Sequence, residues 1–263
     1  MLYLDLMLFT NDVGLVAEAK EAGIDRIVVD LEKSGKQERQ QGYHLEINTH
    51  TIDDIKRIKD TFPSVNVLCR INPFHENSHK EIEHVIDAGS DVIMLPMFKK
   101  TEEVRSFIDC VNGKAVTSIL VETKEAVEIS DELKVLNIDE VYVGLNDLSI
   151  SLCLNFAYEV CLKGILDRLR NIFSDKDFGF GGITVLEKGR PLRTKSIMKE
   201  MARLKCNKVI MRRAFKHDIA ACNMSIEIQK IRSYYNQLQY RDEKMITSDH
   251  LSLKEEIKGI IKP

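Results

Sequence analysis

Two acids sit directly behind apolar runs in this sequence. Glu122 follows Ile119-Leu120-Val121, and Asp147 closes Val143-Gly144-Leu145-Asn146-Asp147. Burying a carboxylate without a compensating charge is costly, so something positive should meet both. Two oxygen ligands, with water and substrate completing an octahedron, suit magnesium or manganese far better than zinc, which favours histidine or thiolate; other divalent metals fit the same pair. The competing reading for either acid taken singly is a helix cap, a position that Asp favours. Arg70 lies between Val67-Leu68-Cys69 and Ile71-Asn72-Pro73. Its planar fork can grip a carboxylate through two charge-assisted bonds, or it can pair with Asp30 or Glu32 and neutralise them. Both can hold at once, and Arg70, Asp30 and Glu32 are the candidate catalytic residues. Histidines contribute less. His75, His79 and His84 are spaced too widely for zinc, whereas His44 and His50 fall in a polar stretch where either could serve as a general base or stay solvated.

Short β-branched runs alternate with stretches of helical period throughout the chain, the pattern of βαβ units around a parallel sheet. Strands are predicted at Tyr3 to Phe9, Arg26 to Leu31, Asn66 to Ile71, Asp91 to Leu95, Ala115 to Val121, Glu140 to Gly144, Phe178 to Ile183 and Lys208 to Met211. Eight such units predict an α/β fold, a (β/α)8 TIM barrel with a C-terminal helical extension. Residues 1–239 form the barrel and its terminal helix, and residues 240–263 a charged tail. Chemistry in such barrels sits at the carboxyl ends of the strands, where Asp30, Glu32, Arg70, Glu122 and Asp147 all fall. A doubly wound nicotinamide-binding sheet is disfavoured, because Phe9-Thr10-Asn11-Asp12-Val13-Gly14 lacks the G-x-G-x-x-G turn. The glycines of Phe178-Gly179-Phe180-Gly181-Gly182-Ile183 permit close backbone approach. Loops after the seventh and eighth strands of barrels often hold a phosphate, although tight packing explains these glycines equally well.

The 263 residues carry a net charge of −3 and a pI near 6.2, without the basic excess that phosphate-backbone binding needs, so nucleic acid is not an expected partner. No apolar stretch approaches the ~18 residues of a membrane span, and the first nine residues do not read as a signal peptide. A cytoplasmic protein is expected, with its six cysteines reduced and mostly buried.

The motifs Asp30-Leu31-Glu32, Arg70-Ile71-Asn72-Pro73, Asp91-Val92-Ile93-Met94-Leu95-Pro96, Leu120-Val121-Glu122-Thr123 and Gly144-Leu145-Asn146-Asp147-Leu148-Ser149 resemble those of the HpcH/HpaI aldolase and citrate-lyase β-subunit family, in family order over roughly Leu2 to Phe215. The resemblance implies that Glu122 and Asp147 hold a divalent metal, Mg2+ or Mn2+, and that Arg70 binds a 2-oxo acid or its enolate. Within the same motifs Asn146, Leu148 and Pro96 are the further candidate substrate contacts. The sequence departs from the family at Lys33, where relatives carry histidine or an acid, at Leu145 for proline, at Met97 for lysine and at Cys153 for glycine. The implied activity is a divalent-metal-dependent carbon–carbon lyase of the aldolase type, acting on a 2-oxo acid or related hydroxy acid through a pyruvate-like enolate. Alternatives are a Schiff-base aldolase using Lys124 and a catalytically silent barrel that binds a small acid in a regulatory or scaffolding role.

After Phe215 a single long helix is predicted, with apolar rows Ile219, Cys222, Ile226 and Met224, Ile228, Ile231, Tyr235. So wide an apolar surface can pack on its own barrel, but with the terminal-helix exchange known in the resembling family it predicts a homo-oligomer built from dimers, the tail after Tyr240 lying over the subunit boundary or partly disordered.

Overall fold

The computed structural model describes residues 2–33 and 49–261. Eight parallel strands close into a barrel in sequence order: β1 Asp5–Phe9, β2 Arg26–Asp30, β3 Asn66–Arg70, β4 Val92–Leu95, β5 Val116–Val121, β6 Glu140–Val143, β7 Asp177–Ile183 and β8 Lys208–Met211. Each predicted strand is present, several starting or ending a residue or two inside the predicted limits and β7 starting one residue earlier, at Asp177. Helices α1 Val13–Ala22, α2 Ile52–Thr61, α3 Ser78–Asp87, α4 Thr101–Val111, α5 Lys124–Glu128, α6 Ser130–Leu133, α7 Leu145–Ser151, α8 Ile165–Ile172 and α9 Thr194–Arg203 connect the strands among the described residues, with a 3-10 helix at Ala157–Lys163. Their ends follow local rules. The Asp12 side chain accepts the Leu15 N–H at 2.9 Å to start α1, and Gly23, at φ +86°, ends it.

The core has two parts. Met7, Val28, Leu68, Val92, Met94, Leu120 and Tyr142 fill the barrel interior, while the larger cluster packs between sheet and helices. The interior is charged below this apolar waist. Lys208 Nζ, 3% exposed as a residue, reaches Glu140 at 2.8 Å and both Asp5 and Asp177 at 3.1 Å. Arg26 closes the network through Asp5 and Glu140, each at 2.8 Å. The floor is therefore a plug of paired charges that the sequence reading left without a role.

The C-terminal region departs from expectation. The long helix is two, α10 Ala214–Ile219 and α11 Met224–Leu238, because the Asn223 side chain accepts the Ile226 N–H at 3.1 Å and starts a new helix. Met224, Ile228, Ile231 and Tyr235 are buried against this chain's own barrel, the Tyr235 hydroxyl donating to the Cys206 carbonyl. Arg232 donates to the Leu4 carbonyl at 2.8 Å and pairs with Asp25 at 2.7 Å. The apolar surface that called for a partner is covered from within, and of the predicted rows only Cys222 and Ile226 are exposed. Nor do residues 243–261 form a loose tail. They form α12, Glu243–Ile261, which packs on α9 through Leu253 and Ile257, one helical turn apart and both buried. Asp249 bonds Lys199 and Arg241, both at 2.6 Å, and fixes the register. Sparse apolar positions suffice because these charges complete the contact.

The cysteines are all free: Cys69, Cys161 and Cys206 are buried, whereas Cys153 and Cys222 are exposed. No helix among the described residues is long and apolar enough to cross a membrane.

Removing one partner of a buried charge network strands the rest. Lys208→Met should therefore lower unfolding free energy by about 3–5 kcal/mol in urea denaturation. An unchanged midpoint would show that water already carries the floor carboxylates.

Candidate active site

Period-two alternation carries the site. Val28, Leu68 and Leu120 face the barrel interior, so the residues two positions on, Asp30, Arg70 and Glu122, face it one layer higher at the carboxyl end. Asp30 and Arg70 are register partners on adjacent strands, and their side chains meet as a fork: Arg70 Nε to Asp30 Oδ1 and Nη2 to Oδ2, both 2.9 Å. Glu32 Oε2 lies 3.4 Å from the same Nε, and the Phe9 ring lies 5.4 Å from the guanidinium. Burial opposes the Arg70 charge, but Asp30 and Glu32 outweigh it and raise the Arg70 pKa. Arg70 also lines a cavity of about 560 Å³ at the barrel mouth, so the ion pair leaves it accessible to a ligand.

Glu122 and Asp147 line the same cavity. Glu122 is 2% exposed, and its Oε1 accepts the Met97 N–H at 3.1 Å. Met97 sits at φ +55°, a left-handed conformation that turns its backbone after β4. Burial pushes the Glu122 carboxyl well above the ordinary range, Glu32 and Asp147 push it further, and Arg70 only partly opposes them. A divalent cation between Glu122 and Asp147 would add positive charge beside the buried Glu122 carboxyl. Among the described residues no group of three or more His, Cys, Asp or Glu is placed to hold a metal. The two carboxylates thus fit a hard cation that keeps positions for water and substrate oxygens, and do not fit a structural zinc.

The other predicted residues divide. Asn146 is exposed on the cavity wall. Leu148 is fully buried in the sheet–helix core, and Pro96 is buried beside β4; neither lines the cavity, whereas their neighbours Leu145 and Ser149 do. Lys124, the Schiff-base candidate, lies outside the cavity, its side chain 60% exposed and paired with Glu128 at 3.7 Å. His75 bonds Glu81 at 3.3 Å and forms no metal cluster with its neighbours among the described residues. His44 lies outside the described residues. His50 is buried, not solvated, and its Nδ1 accepts the Asp30 backbone N–H at 3.0 Å, which supports the Arg70 partner from behind. Cys153, at the family's glycine position, adopts φ +55°, a conformation in which glycine is unstrained.

Sequence reasoning missed Tyr158, Arg190, Arg212 and Lys216, all on the cavity wall. Arg212 was within reach, because it follows Ile210 of the predicted eighth strand by two residues and so shares its inward face. The others come from a loop, the 3-10 helix and α10, whose approach to the mouth depends on barrel closure.

The model of the HpcH/HpaI aldolase/citrate lyase family matches residues 5–159. That span contains Asp30, Glu32, Arg70, Glu122 and Asp147 and stops before β7, short of the Phe215 limit of the motif resemblance. No curated protein matches the chain by sequence. Among solved structures, the chain is similar in fold to RipC from Yersinia pestis, at 12% identity and TM-score 0.56 over 92% of this chain and 98% of that one. It is similar also to 3-hexulose-6-phosphate synthase from Salmonella typhimurium, at 17% identity and TM-score 0.60 over 89% of this chain and 100% of that one.

Gly144 leaves Glu122 its space. A Cβ there would stand 2.7 Å from Glu122 Oε2 and 3.0 Å from Glu122 Cβ, although φ −85° suits any residue. Gly144→Ala should displace the carboxylate and weaken Mn2+ binding, read by calorimetric titration, by roughly tenfold or more, the scale of disturbed metal-ligand support. Unaltered affinity would remove Glu122 from the metal site.

Proposed function

This chain belongs to the HpcH/HpaI aldolase/citrate lyase family, and on that premise we propose that it is a divalent-metal-dependent carbon–carbon lyase acting on a 2-oxo acid, or a related hydroxy acid, through a pyruvate-like enolate. The observation that carries this reading is the convergence of Arg70, Glu122 and Asp147 on one cavity. Glu122 and Asp147 would hold the cation, Mg2+ or Mn2+, which when bound supplies Lewis-acid polarisation of a substrate oxygen. The protein's own groups set the rest. Asp30 takes Nε and Nη2 of Arg70, and among the described residues Nη1 makes no hydrogen bond, so it can donate to the substrate carboxylate or to the oxygen where enolate charge develops. Because the fork is already locked, little reorganisation accompanies that charge. Leu8, Met94 and Leu120 form an apolar bed beneath the reacting carbons, which strengthens each polar contact above it. We expect the active molecule to act on a free small-molecule acid.

The reading is tested by exchange of pyruvate methyl protons with D2O, followed by NMR, which isolates enolate formation from the second carbonyl partner. Exchange should require added Mg2+ or Mn2+ and stop with chelator. Arg70→Lys, which keeps the charge and loses the fork, should lower kcat/KM roughly 10- to 100-fold, the worth of a charge-assisted bond pair. Glu122→Gln should lose most of its metal affinity. Metal-independent exchange in Glu122→Gln would sink the metal-dependent mechanism, and unchanged kcat/KM in Arg70→Lys would return Arg70 to a structural ion pair with Asp30.

A further inference from the structure

The cavity is electrically two-sided. Its lining carboxylates, Glu122 and Asp147, stand with Arg70 on the β3–β6 side, whereas Arg190, Arg212, Arg213 and Lys216 line it from the segments after β7 and β8, with no carboxylate among the lining residues there. We propose that this second half binds a phosphate ester at the far end of the carbonyl compound that joins or leaves the enolate. The inference rests on the lyase reading only for what happens at the other end of the molecule.

Arg212 is the centre of this half. It gives one N–H to the Arg190 carbonyl at 3.2 Å and another to the Leu192 carbonyl at 3.1 Å, so the residues after β7 are tied to the end of β8. Its Nε is buried and has no hydrogen-bond acceptor among the described residues. A buried guanidinium donor without an acceptor is an expensive arrangement that an incoming anion would relieve. The acids of the same two segments are engaged elsewhere: Asp218 with the Thr184 hydroxyl at 2.6 Å and Lys188 at 3.5 Å, and Glu187 with Lys195 at 2.5 Å. Arg190 and Lys216 are exposed and form no ion pair with a described residue. Their charge is therefore available to a ligand and is not consumed by the fold.

Backbone shape agrees with the charge. A Cβ on Gly182 would stand 3.2 Å from Arg212 Cβ, and one on Gly189, at φ +118°, would stand 2.5 Å from Arg212 Nη2, so the first glycine makes room for the base of the Arg212 side chain and the second for its guanidinium. Gly181, at φ +65°, bends β7 so that backbone and the Tyr158 ring bound the same space. Donors thus approach from β8, from two loops and from the helical wall. Such a spread matches the three acceptor oxygens of a phosphate dianion better than the flat pair of a carboxylate. The four cations also lie outside residues 5–159, the part of the chain that carries the family match.

The test compares direct binding with selectivity in turnover. By calorimetry the wild-type chain should bind glycerol 3-phosphate roughly tenfold more tightly than glycerate, its carboxylate counterpart, as expected for added charge-assisted bonds. The Arg190→Ala/Lys216→Ala double variant, altered only at exposed side chains, should weaken glycerol 3-phosphate about tenfold. It should also lower the ratio of kcat/KM for glyceraldehyde 3-phosphate over glyceraldehyde, with pyruvate as the common partner. Arg212→Met should abolish the preference, and its thermal melt will separate loss of binding from loss of fold. Equal or tighter binding of glycerate, or an unaltered phosphate preference in the double variant, overturns the proposal. Phosphate binding without pyruvate proton exchange would sustain this site while refuting the lyase reading, and exchange without phosphate preference would do the reverse.

Discussion

A ring of eight parallel strands gives each strand only every second side chain for its interior, and the chemistry of this protein depends on how those positions are filled. Along β2 the inward sequence is Arg26, Val28, Asp30; along β3 it is Asn66, Leu68, Arg70; along β8 it is Lys208, Ile210, Arg212. Polar, apolar, polar recurs from strand to strand. The apolar middle layer holds the barrel shut, and it separates a floor whose charges are mutually paired from a rim whose charges face a cavity. Shifting any strand by one residue would place valines and leucines in the mouth and charges against the helices, so register and site are specified together.

At the rim the balance of charge decides which groups remain available. Arg70 lies against Asp30 and Glu32, with Glu122 and Asp147 close by. Because the Arg70–Asp30 fork is bidentate, Arg70 is held in place, and it only partly opposes the burial and neighbouring carboxylates that raise the Glu122 pKa. Coulomb attraction at such separations is several times stronger in a half-buried site than in water. A hard cation between Glu122 and Asp147 would fit that arrangement, on the side of the cavity opposite Arg190, Arg212 and Lys216.

The terminal helices show the same economy on the outside. Tyr235, Ile231 and Ile228 seal the barrel wall near Cys206, while α12 covers α9 with just two buried aliphatic residues and a set of short ion pairs. An apolar row read along a helix establishes that it is covered. It does not say by which chain, and here the answer is the same chain.

The strands were legible because β-branched runs of the right length have few other structures open to them, and Asp30, Arg70, Glu122 and Asp147 were legible because each follows such a run. Leu148 and Pro96 belong to the same motifs, yet face the core, a distinction that depends on the rotation of α7 and the turn after β4 and not on residue type. His50 reads as polar loop until the fold lays it against the Asp30 backbone. Residues 243–261 read as a tail because their partners, Lys199 and Glu200, are more than forty positions away. The sequence by itself determined the alternating pattern, and with it the barrel and the acidic side of its mouth, since both arise from contacts within a strand or to the next one. Only the tertiary structure decided the basic side and the covering of the apolar helix. Both depend on ring closure bringing β8 beside β1 and β7, a set of contacts that no local periodicity encodes.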